Sequence, residues 1–177
     1  MKKKNILIML IASMCMLLHI SAYANEFTWE NAPGTHGESI LLTADELSSR
    51  DEYRTVARGD FLSAGATEIR NGQDGSMTIC IDTYAHHDVD SIFHTVFLDQ
   101  WDEDDQDWYQ VGYWDFVQTK EETEDGSLHE LITIMRVTGY PTGKYYRLRG
   151  LHGVEYNDEI EATATETHGV LITDGPT

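Results

Sequence analysis

Lys144, Tyr145, Tyr146, Arg147, Leu148, Arg149, Gly150 and Leu151 are the residues that decide the fold. Successive side chains of an extended chain point to opposite faces, so Tyr146, Leu148 and Gly150 share one side while Tyr145, Arg147 and Arg149 share the other. The stretch follows Pro141, Thr142 and Gly143, whose chemistry turns a chain sharply. It reads as a β-strand.

The alternation continues outward. In residues 76–84, Met77, Ile79 and Ile81 alternate with Thr78, Cys80 and Asp82 after the turn residues Asn71, Gly72, Gln73, Asp74 and Gly75. Residues 91–101 carry Ile92, Val96 and Leu98 on one side and Phe93, Phe97 and Trp101 on the other, which suits the middle of a sheet. A short acidic connection over 102–107 joins them to 108–117, and its brevity implies an antiparallel hairpin. A second acidic turn, 121–127, leads into 129–137, where Leu131, Ile132, Ile134 and Val137 are expected in the core. A weak strand at 61–69, interrupted by Gly65, and a closing strand at 169–173 complete the set; the stretch rich in glutamate and threonine before the last strand reads as a loop. Seven strands in about 120 residues is the count of a small sandwich. The expected fold is an all-β, antiparallel two-sheet sandwich of immunoglobulin-like or jelly-roll type over residues 55–177.

Ahead of it, residues 1–24 read as a signal peptide. Lys2, Lys3 and Lys4 form a basic start, 6–20 is an apolar run, and Ala22, Tyr23 and Ala24 give a small-x-small cleavage pattern. Met14 precedes Cys15 where lipid attachment wants a small residue, so a secreted, extracellular chain is expected. Cys80 is then the one mature cysteine and no intrachain disulfide can form. Residues 25–54, interrupted by Pro33, Gly34 and Gly37, read as a partly disordered leader in which Thr43 caps a short helix through Ala44, Asp45, Glu46 and Leu47. The chain carries 12 basic and 31 acidic side chains; losing the three leading lysines leaves nine bases and a net charge of −22. Such a chain repels nucleic acid and anionic lipid headgroups, so neither nucleic-acid binding nor membrane insertion after signal removal is expected.

The aromatic strand after its Pro-Gly turn resembles the penultimate strand of fibronectin-type and immunoglobulin-like domains. The stretch from Arg58, Gly59, Phe61 and Leu62 through the 145–150 strand and His152 to Gly169, Val170 and Ile172 is similar to an uncharacterised family of small secreted β-rich proteins of Gram-positive bacteria, a domain of unknown function. The likeness covers about two-thirds of the chain. It implies a signal peptide, a variable leader and a sandwich, and no catalytic residues. In that family the hairpin before the Trp108 strand is often Asn-Gly-like, which makes the acidic loop of this chain a local elaboration.

Candidate sites follow from residue chemistry. Arg147 and Arg149 beside Tyr145 spend two of nine mature bases on one strand face. Planar guanidinium groups there suit carboxylated sugars or wall polymers, unless they pair with acids on neighbouring strands. Trp101, Trp108 and Trp114, with Tyr109 and Tyr113, crowd one hairpin and suit a carbohydrate platform if the rings project outward. A single bulge would exchange the faces.

Six carboxylates lie between Asp99 and Asp107; Asp102, Asp104, Asp105 and Asp107 are the candidate metal ligands, for Ca2+, although the glycine-centred calcium-loop spacing is absent. No other cofactor is implied. His86, His87, Asp88 and Asp90 could hold Zn2+ or Ni2+, but adjacent side chains on extended backbone diverge. Cys80 lacks the glycine elbow or histidine motif of a nucleophile.

The expected function is a non-catalytic extracellular binding or envelope-associated module, its partner a glycan, wall polymer or protein. A hydrolase acting on extracellular polymer through carboxylates or a metal, and a calcium-stabilised structural domain, are the alternatives.

Overall fold

The computed structural model describes residues 28–34, 38–54 and 61–176; the signal-peptide reading lies outside the described residues. Nine strands form: β1 (Ser48–Arg54), β2 (Leu62–Asn71), β3 (Met77–Ala85), β4 (Ser91–Asp102), β5 (Asp107–Thr119), β6 (Glu130–Val137), β7 (Lys144–Tyr156), β8 (Glu159–Glu166) and β9 (Val170–Ile172). One sheet has the order β1-β2-β3-β6, the other β5-β4-β7-β8, with β9 also paired to β7. All strand pairs are antiparallel. The two sheets pack face to face as a sandwich, as expected.

The count is nine rather than seven, and both additional strands lack the apolar alternation that marks a strand. β1 falls in the stretch read as leader. It is held by the ladder to β2 and by Arg50, which reaches Glu52, Glu68 and Asp82. β8 falls in the stretch read as a polar loop; its small Ala162 and Ala164 and its threonines Thr163 and Thr165 are all buried. The expected helix after Thr43 is a single turn, in which the Glu46 carboxylate accepts from the Thr43 N–H and hydroxyl. One turn fixes too few hydrogen bonds to propagate.

The buried apolar residues form three clusters, of which two are the larger. One cluster gathers Ile69, Met77, Ile79, Ile81, Val96, Leu98, Tyr146, Leu148 and Ile172, the other Phe61, Leu62, Val89, Ile92, Leu128 and Val154. Between them runs a polar belt. His94 of β4 and His152 of β7 are cross-strand partners, both fully buried. Thr83 Oγ1 lies 3.2 Å from His94 Nδ1 and 3.0 Å from His152 Nδ1. Thr133 Oγ1 lies 2.9 Å from His94 Nε2, Thr165 Oγ1 2.9 Å from His152 Nε2, and Thr67 Oγ1 2.7 Å from Thr165 Oγ1. The space is made by glycine: a Cβ on Gly65 or Gly150 would overlap the His152 ring. Each buried polar atom left without a partner costs about 1–3 kcal/mol, so the belt is stable only when complete. It is complete: among the described residues, no buried side-chain nitrogen or oxygen lacks a partner.

Candidate functional site

The arginine strand behaves as its alternation requires, with Tyr146 and Leu148 in the core and Arg147 and Arg149 on the outer face of the five-stranded sheet. On that face the two cations are already paired. Cross-strand register sets Asp99 opposite Arg147 and Phe97 opposite Arg149. Asp99, 2 % exposed, accepts from Arg147 Nε at 3.1 Å and from Arg149 Nε and Nη2 at 2.8 and 3.0 Å. Arg147 Nη1 also meets Glu166 at 2.6 Å, and Arg149 Nη2 meets Gln110 at 3.1 Å.

Aromatic rings close over these pairs. The Arg147 guanidinium lies 4.7 Å from the Trp108 ring centre, and that of Arg149 lies 4.9 Å from Phe97 and 5.1 Å from Trp29. Two carboxylates and two guanidinium groups cancel in charge, and the cations spend their directional bonds inside the protein. Their work is to fasten the outer face of the sheet.

The three tryptophans read as one platform are divided. Trp101 and Trp108 meet edge to face at 5.3 Å on the outer face, whereas Trp114 packs against the core. The cause is a bulge at Val111: Leu98 pairs with Gly112 but Asp99 with Gln110, so one extra residue exchanges the faces of β5. Tyr145 is half-buried on β7, opposite Leu171.

The acidic loop uses its carboxylates to make the turn. Asp102 Oδ1 accepts from the N–H groups of Asp104 and Asp105, Asp107 Oδ1 from that of Trp108, and Asp105 Oδ2 from the Tyr109 hydroxyl. The His86–Asp90 cluster is similarly spent: Asp88 accepts from Ser127, Asp90 from the Asn157 N–H, and the His87 ring packs against Tyr156. Among the described residues, no three His, Cys, Asp or Glu side chains converge in a way that could hold a metal. Burial, and then the hydrogen bond to Asp82, push the Cys80 thiol up to about 12, so at neutral pH it is not a thiolate.

The histidine belt carries a sequence signal of its own. His94 has the parity of Ile92, Val96 and Leu98, and His152 that of Tyr146, Leu148 and Val154. Burial lowers His94 to about 4 and His152, aided by its neighbour His94, to about 3. Both are neutral at physiological pH.

The surface that stands out lies on the β5–β6 side. β5 and β6 are edge strands of opposite sheets, and neither pairs with a second strand among the described residues. Ile132 and Ile134, expected in the core, point outward at 48 % and 68 % exposure; on β5, Tyr113 and Val117 are 59 % and 61 % exposed. Their inward neighbours Trp114, Phe116, Leu131 and Met135 are only half-buried, so the sandwich stays unsealed along this side. Tyr113 and Val117 stand on the outer face of one sheet and Ile132 and Ile134 on that of the other, so two exposed apolar patches flank this side, and such patches mark contact surfaces.

A family model matches residues 33–170, a span that holds β1 to β8, the buried belt and the β5–β6 side. The chain belongs to the family of unknown function DUF6147. Trp29 lies just ahead of the DUF6147 span, so its stacking on Arg149 is added from outside it. Comparisons with curated proteins and with solved structures yield no match. No helix among the described residues is long and apolar enough to cross a membrane.

Proposed function

We propose that this DUF6147 chain is a secreted, non-catalytic binding module of Gram-positive bacteria whose contact surface is the open β5–β6 side. The observation that carries the reading is the concentration of exposed apolar residues, Tyr113, Val117, Ile132 and Ile134, along two edge strands. Export is supported by the basic, apolar and small-residue order of the first 24 residues. The arginine-tryptophan face, first read as the ligand surface, has its charges neutralised internally and acts as scaffold. The strongly acidic charge disfavours anionic wall polymers as ligands.

The test is retention of the full chain on cell-envelope and secreted-protein fractions of Gram-positive cells, alongside the variant Tyr113→Lys/Ile134→Lys. Retention by the parent and its loss in the variant, with unchanged melting temperature, is the expected result. Equal retention of both would move the contact surface elsewhere. Release of soluble sugar or peptide during the incubation would overturn the non-catalytic part of the reading.

A further inference from the structure

The open side is built along an exposed strand edge, and its two ends share a chemistry that says what it takes. β5 pairs with β4 on one side. At the Val111 bulge the Tyr140 hydroxyl bonds to the Val111 carbonyl, which closes the strand edge at that point. Beyond it, residues 112–118 run on with no neighbouring strand on their outer edge among the described residues, and at Thr119 the N–H is taken by the Glu122 carboxylate at 2.9 Å. At ~3.3 Å per residue this is room for roughly seven paired residues. An unprotected edge offers a row of backbone donors and acceptors to any extended chain, and proteins usually block such edges with lysine, proline or a covering segment. Residues 112–119 contain no lysine and no proline.

Charge selects among extended chains. The run on which Tyr113 and Val117 stand holds a single charged residue, Asp115, whose carboxylate accepts from Thr95 at 2.6 Å. Both ends are acidic. Before β5 come Asp102, Glu103, Asp104 and Asp105; after it come Glu121, Glu122, Glu124 and Asp125, against the one base Lys120. The first loop stands beyond residues 107–111, about 17 Å from Gly112 at ~3.3 Å per residue, so a strand that meets both negative poles runs the whole 13-residue length of β5. A second copy of this chain would bring the same two poles and be repelled.

We infer that the edge of β5 over residues 112–118 accepts, by strand addition, an extended segment of a partner protein with an apolar or β-branched centre and lysine or arginine at both ends. This rests on the proposed reading of the open side and narrows it to one class of partner. Main-chain hydrogen bonds to β5 supply the pairing, Tyr113 and Val117 take alternate apolar side chains, and the acidic loops hold the basic ends.

The experiment uses the full chain and three synthetic peptides of equal length. The first alternates valine and threonine between paired lysines at each end, the second has glutamates in place of the lysines, and the third is the first with every other backbone amide methylated. Fluorescence anisotropy gives the affinities. The expected outcome is binding of the first peptide alone, at least about tenfold tighter than either control and weakening as salt screens the ends. Binding should be lost in Val117→Lys, and the circular dichroism of that variant should match the parent's. Equal binding of the methylated peptide would mean attraction to the acidic loops without strand pairing, and would overturn the inference.

Two further outcomes separate this inference from the reading beneath it. Loss of envelope or secreted-protein retention in Tyr113→Lys/Ile134→Lys, together with no peptide binding, would overturn the partner class and leave the contact surface in place. Concentration-dependent dimers in sedimentation, abolished by Val117→Lys, would replace the partner with a second copy of this chain.

Discussion

The two sides of the sandwich solve the same problem in opposite ways. β8 and β5 are outer strands of one sheet, yet β8 is closed and β5 is open. Along β8 the chain returns on itself: the Ala164 N–H donates to the Pro33 carbonyl, Trp29 Nε1 to the Thr165 carbonyl, and Leu41 bridges to Gly169. Ala32 packs on Ala162, Ala164 and Leu151, with Trp29 against the same cluster. Gly34 is required there because a Cβ would run into the Ala164 backbone. On β5, among the described residues, the Tyr140 hydroxyl meets the edge at Val111 and the Glu122 carboxylate at Thr119, and between them the outward residues are exposed and the inward ones half-buried. The contrast teaches that this chain covers one edge with a segment its own sequence supplies, while among the described residues β5 and β6 have no second strand beside them.

The largest expected effect comes from the belt that both sides share. In the unfolded chain the two histidines take up protons near pH 6.5, whereas in the folded chain they resist until about 4 and about 3. The unfolded state therefore binds more protons as pH falls below about 6.5, so stability present above that pH is lost progressively through the folded values. Denaturant titrations between neutral pH and pH 4 should show a loss of several kcal/mol, with both edges released together. His152→Gln would flatten that dependence. A pH-independent midpoint would mean that the histidines are not buried as described.

The closed side gives the next effect. Asp99→Ala leaves Arg147 without its acid partner on β4 and removes both carboxylate bonds of Arg149, which should cost about 3–5 kcal/mol. The equilibrium midpoint would show it, and a change below ~1 kcal/mol would mean that the arginines are free to face a ligand after all.

Smaller still is Trp29→Ala. Trp29 is half-buried and stacks on one guanidinium, so its removal should cost about 1–3 kcal/mol and raise amide exchange in β8 while leaving β5 unchanged. Equal acceleration in both strands would erase the distinction between the edges. At the foot of the scale, Ile134→Lys should move stability by no more than ~0.5 kcal/mol and Tyr113→Lys by no more than ~1 kcal/mol, because the first side chain is largely exposed and the second also stacks on Phe97.

Much of this architecture is legible in the chain, since the β-character, the two-sheet packing and the faces of the 144–151 strand all follow from period-two alternation. Three features escape that reasoning. β1 and β8 are built from charge pairs, alanine and threonine, and their burial depends on what lies across from them. The extra residue at Val111 separates Trp108 from Trp114, which an unbroken strand would place on one face. Ile132 and Ile134 look like core in any sequence pattern, and only the sheet order reveals that their side of β6 faces outward. The pairing of the candidate site escapes it too: Arg147, Arg149 and Trp108 are chemically attractive, and only the cross-strand register shows Asp99 and Glu166 beside the two charges.

Amide hydrogen exchange on the full chain tests the central contrast most directly. In the free protein, the alternate amides of residues 112–118 that point away from β4 should exchange far faster than the buried amides of residues 162–165 in β8, and the lysine-ended peptide should slow the first set alone. Protection of the β5 edge in the free protein as deep as that of β8 would contradict the account, because the open side would then already be closed.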